Sequence, residues 1–320
     1  MNRVLVFGAG GVGAYFGSRL SQVGMEVSVI CRSDFEYVRE NGFQIESGAG
    51  DMHFKPAGVY QKSAEYPGYP DYLIVTSKVL PDFDVAAHIA PAVGPETVIV
   101  LLQNGIDIEK DITRAFPDNE IASGIAYIGV FRLGEGKIKH QAAGRLKIGN
   151  YPGGFISPRV QNIVDKFAAA RVDCEAVKDI EFFRWVKLVW NLPYNPVSVI
   201  AGGVDTRVIS STPELEKICE NLMVEVCQAA KACGKELPED IVQRNLEYTR
   251  NFPPYRTSML LDYENKRPME VEAIVGNALR LAQVKGLKLP YLETTYALLR
   301  SVNKINLETP FSLPVEIVNE

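Results

Sequence analysis

The segment GAGGVG, Gly8 to Gly13, lies between a compact apolar run, Val4–Phe7, and a stretch that reads as a helix over Gly13–Val23, ended by Gly24. It fits G-x-G-x-x-G, and no other feature of the chain limits the fold as strongly. The first glycine allows a tight turn, the second lets backbone approach a pyrophosphate, and the third lets helix and strand pack closely. The helix N-terminus adds N–H donors and the positive end of a dipole. A purely structural turn is the alternative. The position near the N-terminus, inside a β-α-β pattern, favours a dinucleotide held by Gly8, Ala9, Gly10, Gly11, Val12 and Gly13.

The runs that follow agree with a parallel sheet. Val27–Ile30, Leu73–Val75 and Val98–Leu102 are short, continuous and apolar, as strands buried on both faces are. Ile121–Phe131, Lys137–His140 and Arg145–Ile148, with turn residues at Gly134, Gly136 and Gly144, predict an antiparallel extension. Ser157-Pro158 starts a helix running to about Ala170, and Val172–Ala176 predicts a last strand. From about Asp179 the pattern becomes helical: Ile180–Val199, Pro213–Cys233, Pro238–Asn251, Tyr255–Tyr263, Pro268–Lys285 and Tyr291–Lys304. The expected class is α/β, an N-terminal Rossmann-type doubly wound sheet over 1–178 with an all-helical C-terminal domain over 179–320. A cleft between two such domains is a common small-ligand site.

Charge and composition narrow the partners. Lys and Arg total 34 against 39 Asp and Glu, a net charge of −5. An acidic chain is a poor match for nucleic acid, whose phosphates need a basic surface. No apolar run reaches the ~18–20 residues a membrane helix needs. The five cysteines lack C-x-x-C spacing, which disfavours structural zinc and disulfides and points to a reducing cytoplasm. Three histidines without H-x-x-x-H spacing offer no metal site. The partner expected is a small molecule.

At the end of the second strand, an acid that would accept from the ribose hydroxyls of NAD is replaced by Cys31, with Arg32 next. A guanidinium suits the 2′-phosphate of NADP through paired, charge-assisted hydrogen bonds. The alternatives are a solvated Arg32 and a ribose contact from Asp34. Lys78 and Asn104 follow the next two strands in TSK and QNG, at the edge where ligands of open α/β sheets bind.

The first helix of the second half reads EFFRWVKLVWNLPYNPVSVIAGG. Lys187, Asn191 and Asn195 are spaced i, i+4, i+8 and share a face if the helix continues. Pro193 and Pro196 predict a kink or break near its end. The surrounding side chains are apolar, and a buried lysine needs a partner or a shifted pKa. A snorkelling lysine, with asparagines satisfying backbone at the prolines, is the bland alternative.

GAGGVG, ICR, TSK, QNG, WVKLVWNLPYNPVS, TSMLLDYENKRPMEVEAIVG and GLKLP occur in that order. The chain resembles the ketopantoate reductases (2-dehydropantoate 2-reductases) across essentially its whole length. The resemblance implies NADPH-dependent reduction of ketopantoate to pantoate, on the route to pantothenate and coenzyme A. It implies the pyrophosphate on the glycine loop, the 2′-phosphate on Arg32, and cofactor-side roles for Lys78 and Asn104, with Asn104 also close to substrate. Lys187 resembles the general acid, and Asn191, Asn195 and Ser258 the side chains holding substrate carboxylate and hydroxyls. Glu270 resembles the acid beside the nicotinamide ribose and the lysine, with Glu272 as the rival carboxylate and charge complementarity at a helix start as the bland role. Hydride addition builds charge on the ketone oxygen, which a buried ammonium stabilises and protonates. The stretch VLPDFD after Lys78 departs from many members, which carry glutamine or a similar polar residue there, and the fit is weaker around Ile128–Val130. A reductase or dehydrogenase of another 2-oxo or 2-hydroxy acid and a non-catalytic NADPH-binding regulator are the rival functions. A homodimer is the candidate assembly.

Overall fold

The computed structural model describes residues 2–308 and divides into two units, Met1–Arg184 and Trp185–Glu320. The first unit opens with β1 (Arg3–Phe7), α1 (Gly11–Gln22), β2 (Glu26–Ile30), α2 (Phe35–Asn41), β3 (Phe43–Ser47), β4 (Met52–Phe54) and β5 (Val59–Tyr60). It continues with β6 (Tyr72–Val75), α3 (Val85–Ile89), β7 (Val98–Leu101), α4 (Lys110–Ala115), β8 (Ile121–Gly134), β9 (Lys137–Tyr151), α5 (Pro158–Ala169) and β10 (Cys174–Ala176). One sheet contains all ten strands, in the order β4-β3-β9-β8-β7-β6-β1-β2-β5, with β10 also paired to β9.

From β5 to β8 every pairing is parallel. Each residue of β6 and β7 is buried, which explains why those strands read as unbroken apolar runs. β8 and β9 form an antiparallel hairpin whose register shifts between Tyr127/Ile128, Gly129/Val130 and Arg132/Gly134. Lys137–His140 and Arg145–Ile148, expected as separate strands, are therefore one bulged strand. Gly144 and Ala143 take positive φ, 120° and 58°, at one of these bulges. The bulged stretch coincides with Ile128–Val130, where the fit to the family is weaker.

The sheet curls, because α1 touches β1, β2, β4, β8 and β9. All eight residues Gly13–Leu20 of α1 are buried. The short strands β3, β4 and β5 had no sequence expectation: their alternating or sparse apolar residues gave no run to read, and pairing with β9 and β2 makes them strands. Ser157 caps α5, its Oγ accepting from the Val160 N–H at 3.0 Å.

A long helix, α6 (Ile180–Ile200), leads into the second unit. There follow α7 (Thr206–Ser211), α8 (Pro213–Ala232), α9 (Ile241–Asn251), α10 (Ser258–Glu264), α11 (Asn277–Val284) and α12 (Pro290–Glu308), with no strand among the described residues. α8 packs against α7, α9, α11 and α12. Its buried Glu225 accepts from the backbone N–H groups of Tyr291 and Leu292, at 3.0 and 2.7 Å, and so caps α12. Anionic oxygens at a helix N-terminus complement its dipole.

The helix α6 runs unbroken through Pro193 and Pro196, so the expected break does not occur. Each proline removes one N–H donor to the fourth residue before it. Every residue from Leu192 to Val199 is buried, and that packing holds the backbone helical in spite of the lost bonds. No helix of the described residues is long and apolar enough to cross a membrane.

Candidate active site

The turn after β1 is built almost wholly from backbone. Gly8 has φ +91°, and a Cβ there would lie 2.6 Å from the Ser77 nitrogen, so only glycine fits. The Ala9 N–H donates to the Ile30 carbonyl at 3.1 Å, tying the turn to the end of β2. A Cβ on Gly13 would lie 2.5 Å from Thr76 Oγ1 and 2.9 Å from the Gly8 carbonyl, which is the close helix–strand packing expected of the third glycine. Gly10 differs, because a Cβ there meets nothing nearer than the Gly8 carbonyl at 3.9 Å. No side chain caps α1, and its first turn carries no acid. An open side at Gly10 and an uncapped helix start suit a pyrophosphate.

Neighbouring strands bring Arg32, Lys78 and Asn104 to the same edge of the sheet, since β7, β6, β1 and β2 are consecutive in it. Arg32 is exposed and makes no ion pair among the described residues; Lys78 and Asn104 are half-buried. Thr76 Oγ1 donates to the Gly8 carbonyl at 2.7 Å, and Gln103 Nε2 donates to the Ser77 carbonyl at 2.7 Å. The glycine turn, the TSK end and the QNG end are thereby linked in series. The departing segment VLPDFD turns through a Phe83 N–H to Leu80 carbonyl bond of 3.2 Å. Phe83 there stacks on Phe7 at 6.3 Å and on His88 at 4.2 Å.

Asp34, the alternative ribose partner, is already engaged. It occupies the N-cap position of α2 without capping it. Its Oδ2 lies 3.2 Å from Arg132 Nε and accepts from the Gly136 N–H at 3.3 Å. Burial pushes the adjacent Cys31 thiol up, opposed by a hydrogen bond from the Asp34 backbone; the charge of Asp34 adds to the rise and that of Arg132 lowers it.

A buried network that the sequence reading missed fixes the QNG loop. Arg184, Glu109 and Ser123 are 4%, 1% and 0% exposed. The Arg184 guanidinium pairs with Glu109 and donates to Ser123 Oγ at 2.9 Å. Its Nη1 donates to the carbonyls of Gln103 and Gly105, both at 3.0 Å, the residues on either side of Asn104. Ser123 Oγ donates to Glu109 Oε1 at 2.6 Å. The sequence carried one signal for this, a second cation three residues before Lys187 in an otherwise apolar run.

In the second unit, the unbroken α6 keeps Lys187, Asn191 and Asn195 on one face. Lys187 and Asn191 are half-buried and Asn195 is buried. Ser258 is the exposed first residue of α10, rather than interior to a helix starting at Tyr255. Thr257 caps α10, accepting from the Leu260 N–H at 3.1 Å, and its hydroxyl pairs with Ser198 at 2.9 Å. That bond joins the elements carrying Asn195 and Ser258.

Glu270 lies just before helical structure, which begins at Val271 and not at Pro268. The reason is where the backbone donors go: Met269 N–H bonds Asn303 Oδ1 at 3.1 Å, and Val271 N–H bonds the Met269 carbonyl at 2.9 Å. Glu270 is buried, and its carbonyl accepts from the Ile274 N–H at 3.1 Å. A π-helical turn, Glu272–Gly276, follows. Glu272, the rival carboxylate, accepts from Tyr296 at 2.7 Å and from Arg280 at 2.6 Å. It is thus committed to a cluster of its own.

Two family models match this chain: ketopantoate reductase PanE/ApbA over residues 4–153, and ketopantoate reductase PanE/ApbA C terminal over residues 179–303. The chain belongs to the ketopantoate reductase family. A relative from Nostoc named 2-dehydropantoate 2-reductase is 34% identical over 305 residues, covering 94% of this chain and 95% of its own. The crystal structure of 2-dehydropantoate 2-reductase from Methylococcus capsulatus matches with a TM-score of 0.89 at 44% identity, over 97% of this chain and 99% of that one. A D-mandelate dehydrogenase, solved with NADH and anilino(oxo)acetate, matches at 0.86 over 95% and 99% of the two chains. At 22% identity it shows that this ketopantoate reductase fold is shared with other dehydrogenases.

Proposed function

We propose that this family member reduces ketopantoate to pantoate with NADPH, as a cytoplasmic enzyme of pantothenate and coenzyme A synthesis. The observation that carries the reading is the full-length likeness to proteins named 2-dehydropantoate 2-reductase, through both halves of the chain. The family is one of oxidoreductases working with a nicotinamide cofactor. When bound, that cofactor supplies the hydride.

The residues of the chain divide the remaining work. The backbone of Gly8–Gly13 holds the pyrophosphate and Arg32 the 2′-phosphate, while Lys78 and Asn104 serve the nicotinamide side. The Lys187 ammonium stabilises negative charge on the ketone oxygen, then donates its proton there to complete the alcohol, and regains one from solvent. Asn191, Asn195 and Ser258 hold the carboxylate and terminal hydroxyl without adding repulsive charge. Glu270 orients the ammonium and accepts from a ribose hydroxyl; the engagement of Glu272 elsewhere supports that choice.

The test is steady-state oxidation of NADPH with ketopantoate and a panel of 2-oxo acids. A site built to hydrogen-bond a hydroxyl rejects analogues that lack it. Ketopantoate is expected to exceed 2-oxoisovalerate, which lacks the hydroxymethyl group, by roughly tenfold or more in kcat/KM. Equal use of both acids would keep the reductase and defeat the ketopantoate assignment.

A further inference from the structure

The end of β2 carries an acid as well as Arg32, and the two favour opposite cofactors. A carboxylate there accepts from the 2′-hydroxyl of NADH and repels the 2′-phosphate of NADPH. Cys31 takes the usual place of that carboxylate, and Asp34, three residues on, is the candidate acid in its stead. It is buried, and it spends Oδ2 on Arg132 Nε and on the Gly136 N–H instead of on its own helix. Arg132 stands near the tip of the β8–β9 hairpin, about a hundred residues further along the chain. Its Nη1 also donates to Ser33 Oγ, the side chain that directly follows Arg32. The hairpin tip is itself fixed, since the Gly136 carbonyl accepts from the Gln44 N–H at 3.0 Å and a Cβ on Gly136 would meet the Gly42 carbonyl at 2.9 Å. The Arg132 side chain remains 36% exposed.

We propose that Arg132 is a cofactor-selecting residue that acts in two ways. It neutralises Asp34 and holds it away from the ribose, and its remaining guanidinium N–H groups add a second cation beside Arg32 for the 2′-phosphate. A guanidinium has five donors, and the contacts to Asp34 and Ser33 use only part of that set. The inference rests on the NADPH reading and extends it from one arginine to an Arg32–Arg132 pair controlled through Asp34.

The experiment is equilibrium binding of NADPH and NADH to the full chain, followed by nicotinamide fluorescence, for wild type, Arg132→Met, Arg132→Lys and Arg132→Met/Asp34→Asn. Arg132→Met is expected to weaken NADPH roughly tenfold while NADH gains, because Asp34 is released to accept from the 2′-hydroxyl. The double variant loses the NADH gain, because the released carboxylate is gone. Arg132→Lys falls between, keeping charge without the paired geometry. The ratio of the two affinities is the readout, since general loosening of the hairpin lowers both together. A wild type that prefers NADPH with a ratio unchanged in Arg132→Met overturns the Arg132 proposal alone. A wild type that prefers NADH overturns the NADPH reading, and the Arg132 proposal with it.

Discussion

In the glycine turn of the first unit, geometry comes from the backbone and from neighbours a strand away: a positive φ at Gly8, a 2.5 Å exclusion at Gly13, an open side at Gly10. At Glu270 in the second unit, geometry comes from side chains distant in sequence. Asn303 binds the Met269 N–H before it, and Tyr296 and Arg280 hold Glu272 after it. A site of the first kind tolerates change wherever its backbone is undisturbed. One of the second kind depends on partners that look unremarkable by themselves. Arg184 belongs to the second kind although it lies in the first unit, because it grips the carbonyls flanking Asn104 from about eighty residues away.

The largest expected effect breaks that grip. Arg184→Met leaves Glu109, 1% exposed, as an uncompensated charge and strands two carbonyls. Removing one partner of a buried pair costs about 3–5 kcal/mol. Urea unfolding measures it, and adding Glu109→Gln is expected to return part of the loss by removing the stranded charge. A loss of less than about 1 kcal/mol would show that the network is not what holds the QNG loop.

Next in size is Lys187→Met. On the proposed mechanism, kcat falls by about 10²–10³, the usual loss for one electrostatic donor to a developing oxyanion. NADPH affinity stays near wild type in the same protein, because the glycine turn is untouched. Near-normal turnover would place the proton source elsewhere.

How much of this was legible follows the same division. The glycine turn could be read because its three glycines act within one β-α connection, and strand runs buried on both faces left continuous apolar letters. The Lys187–Asn191–Asn195 row could be read because helical spacing is local, although the prolines misled: the sequence does not show that packing over Leu192–Val199 outweighs two missing donors. The helix start at Val271 was misplaced because Pro268 is a common first residue, while the bond from Met269 to Asn303 spans thirty-four positions. Arg132 was invisible for the same reason, since its bond to Ser33 spans ninety-nine positions.

A pair of glycine variants sharpens the comparison within the turn. Gly13→Ala forces a Cβ against Thr76 and the Gly8 carbonyl, and overpacking of this kind costs about 1–3 kcal/mol of stability. Gly10→Ala meets open space, so the fold is expected to hold its stability. On the proposed binding mode its methyl group instead occupies the approach of the pyrophosphate, and NADPH affinity is expected to drop by roughly tenfold or more, about 1.4 kcal/mol. Thermal unfolding and cofactor titration on both variants separate the two kinds of loss. If Gly10→Ala binds NADPH normally, the open side is not the phosphate side.

The smallest effect concerns His140 on β9, in the hairpin that also carries Arg132. Its Nδ1 lies 2.8 Å from Ser47 Oγ and its Nε2 2.9 Å from the Ala143 carbonyl, and its ring packs 4.3 Å from Tyr15. Burial lowers its pKa below the ordinary 6.5, and hydrogen bonds to the Ala143 and Ala142 backbone only partly oppose this; the Arg19 charge adds to the lowering. The folded chain therefore holds His140 neutral at a pH where the unfolded chain has begun to protonate it. As pH falls below about 6.5, the unfolded state binds the extra proton first and is stabilised by it, so this histidine's contribution to folded-state stability declines until the folded pKa is passed. His140→Gln removes the titration and leaves the carboxylates common to both proteins, so they cancel in the difference. The stability advantage of wild type over His140→Gln is expected to shrink between pH 7.5 and 5.5, by no more than about 1.4 kcal/mol per pH unit, the limit for one proton. Urea midpoints at several pH values measure it. An advantage that grows toward low pH would mean that the folded hairpin favours the imidazolium, contradicting a neutral ring between Ser47 and the Ala143 carbonyl.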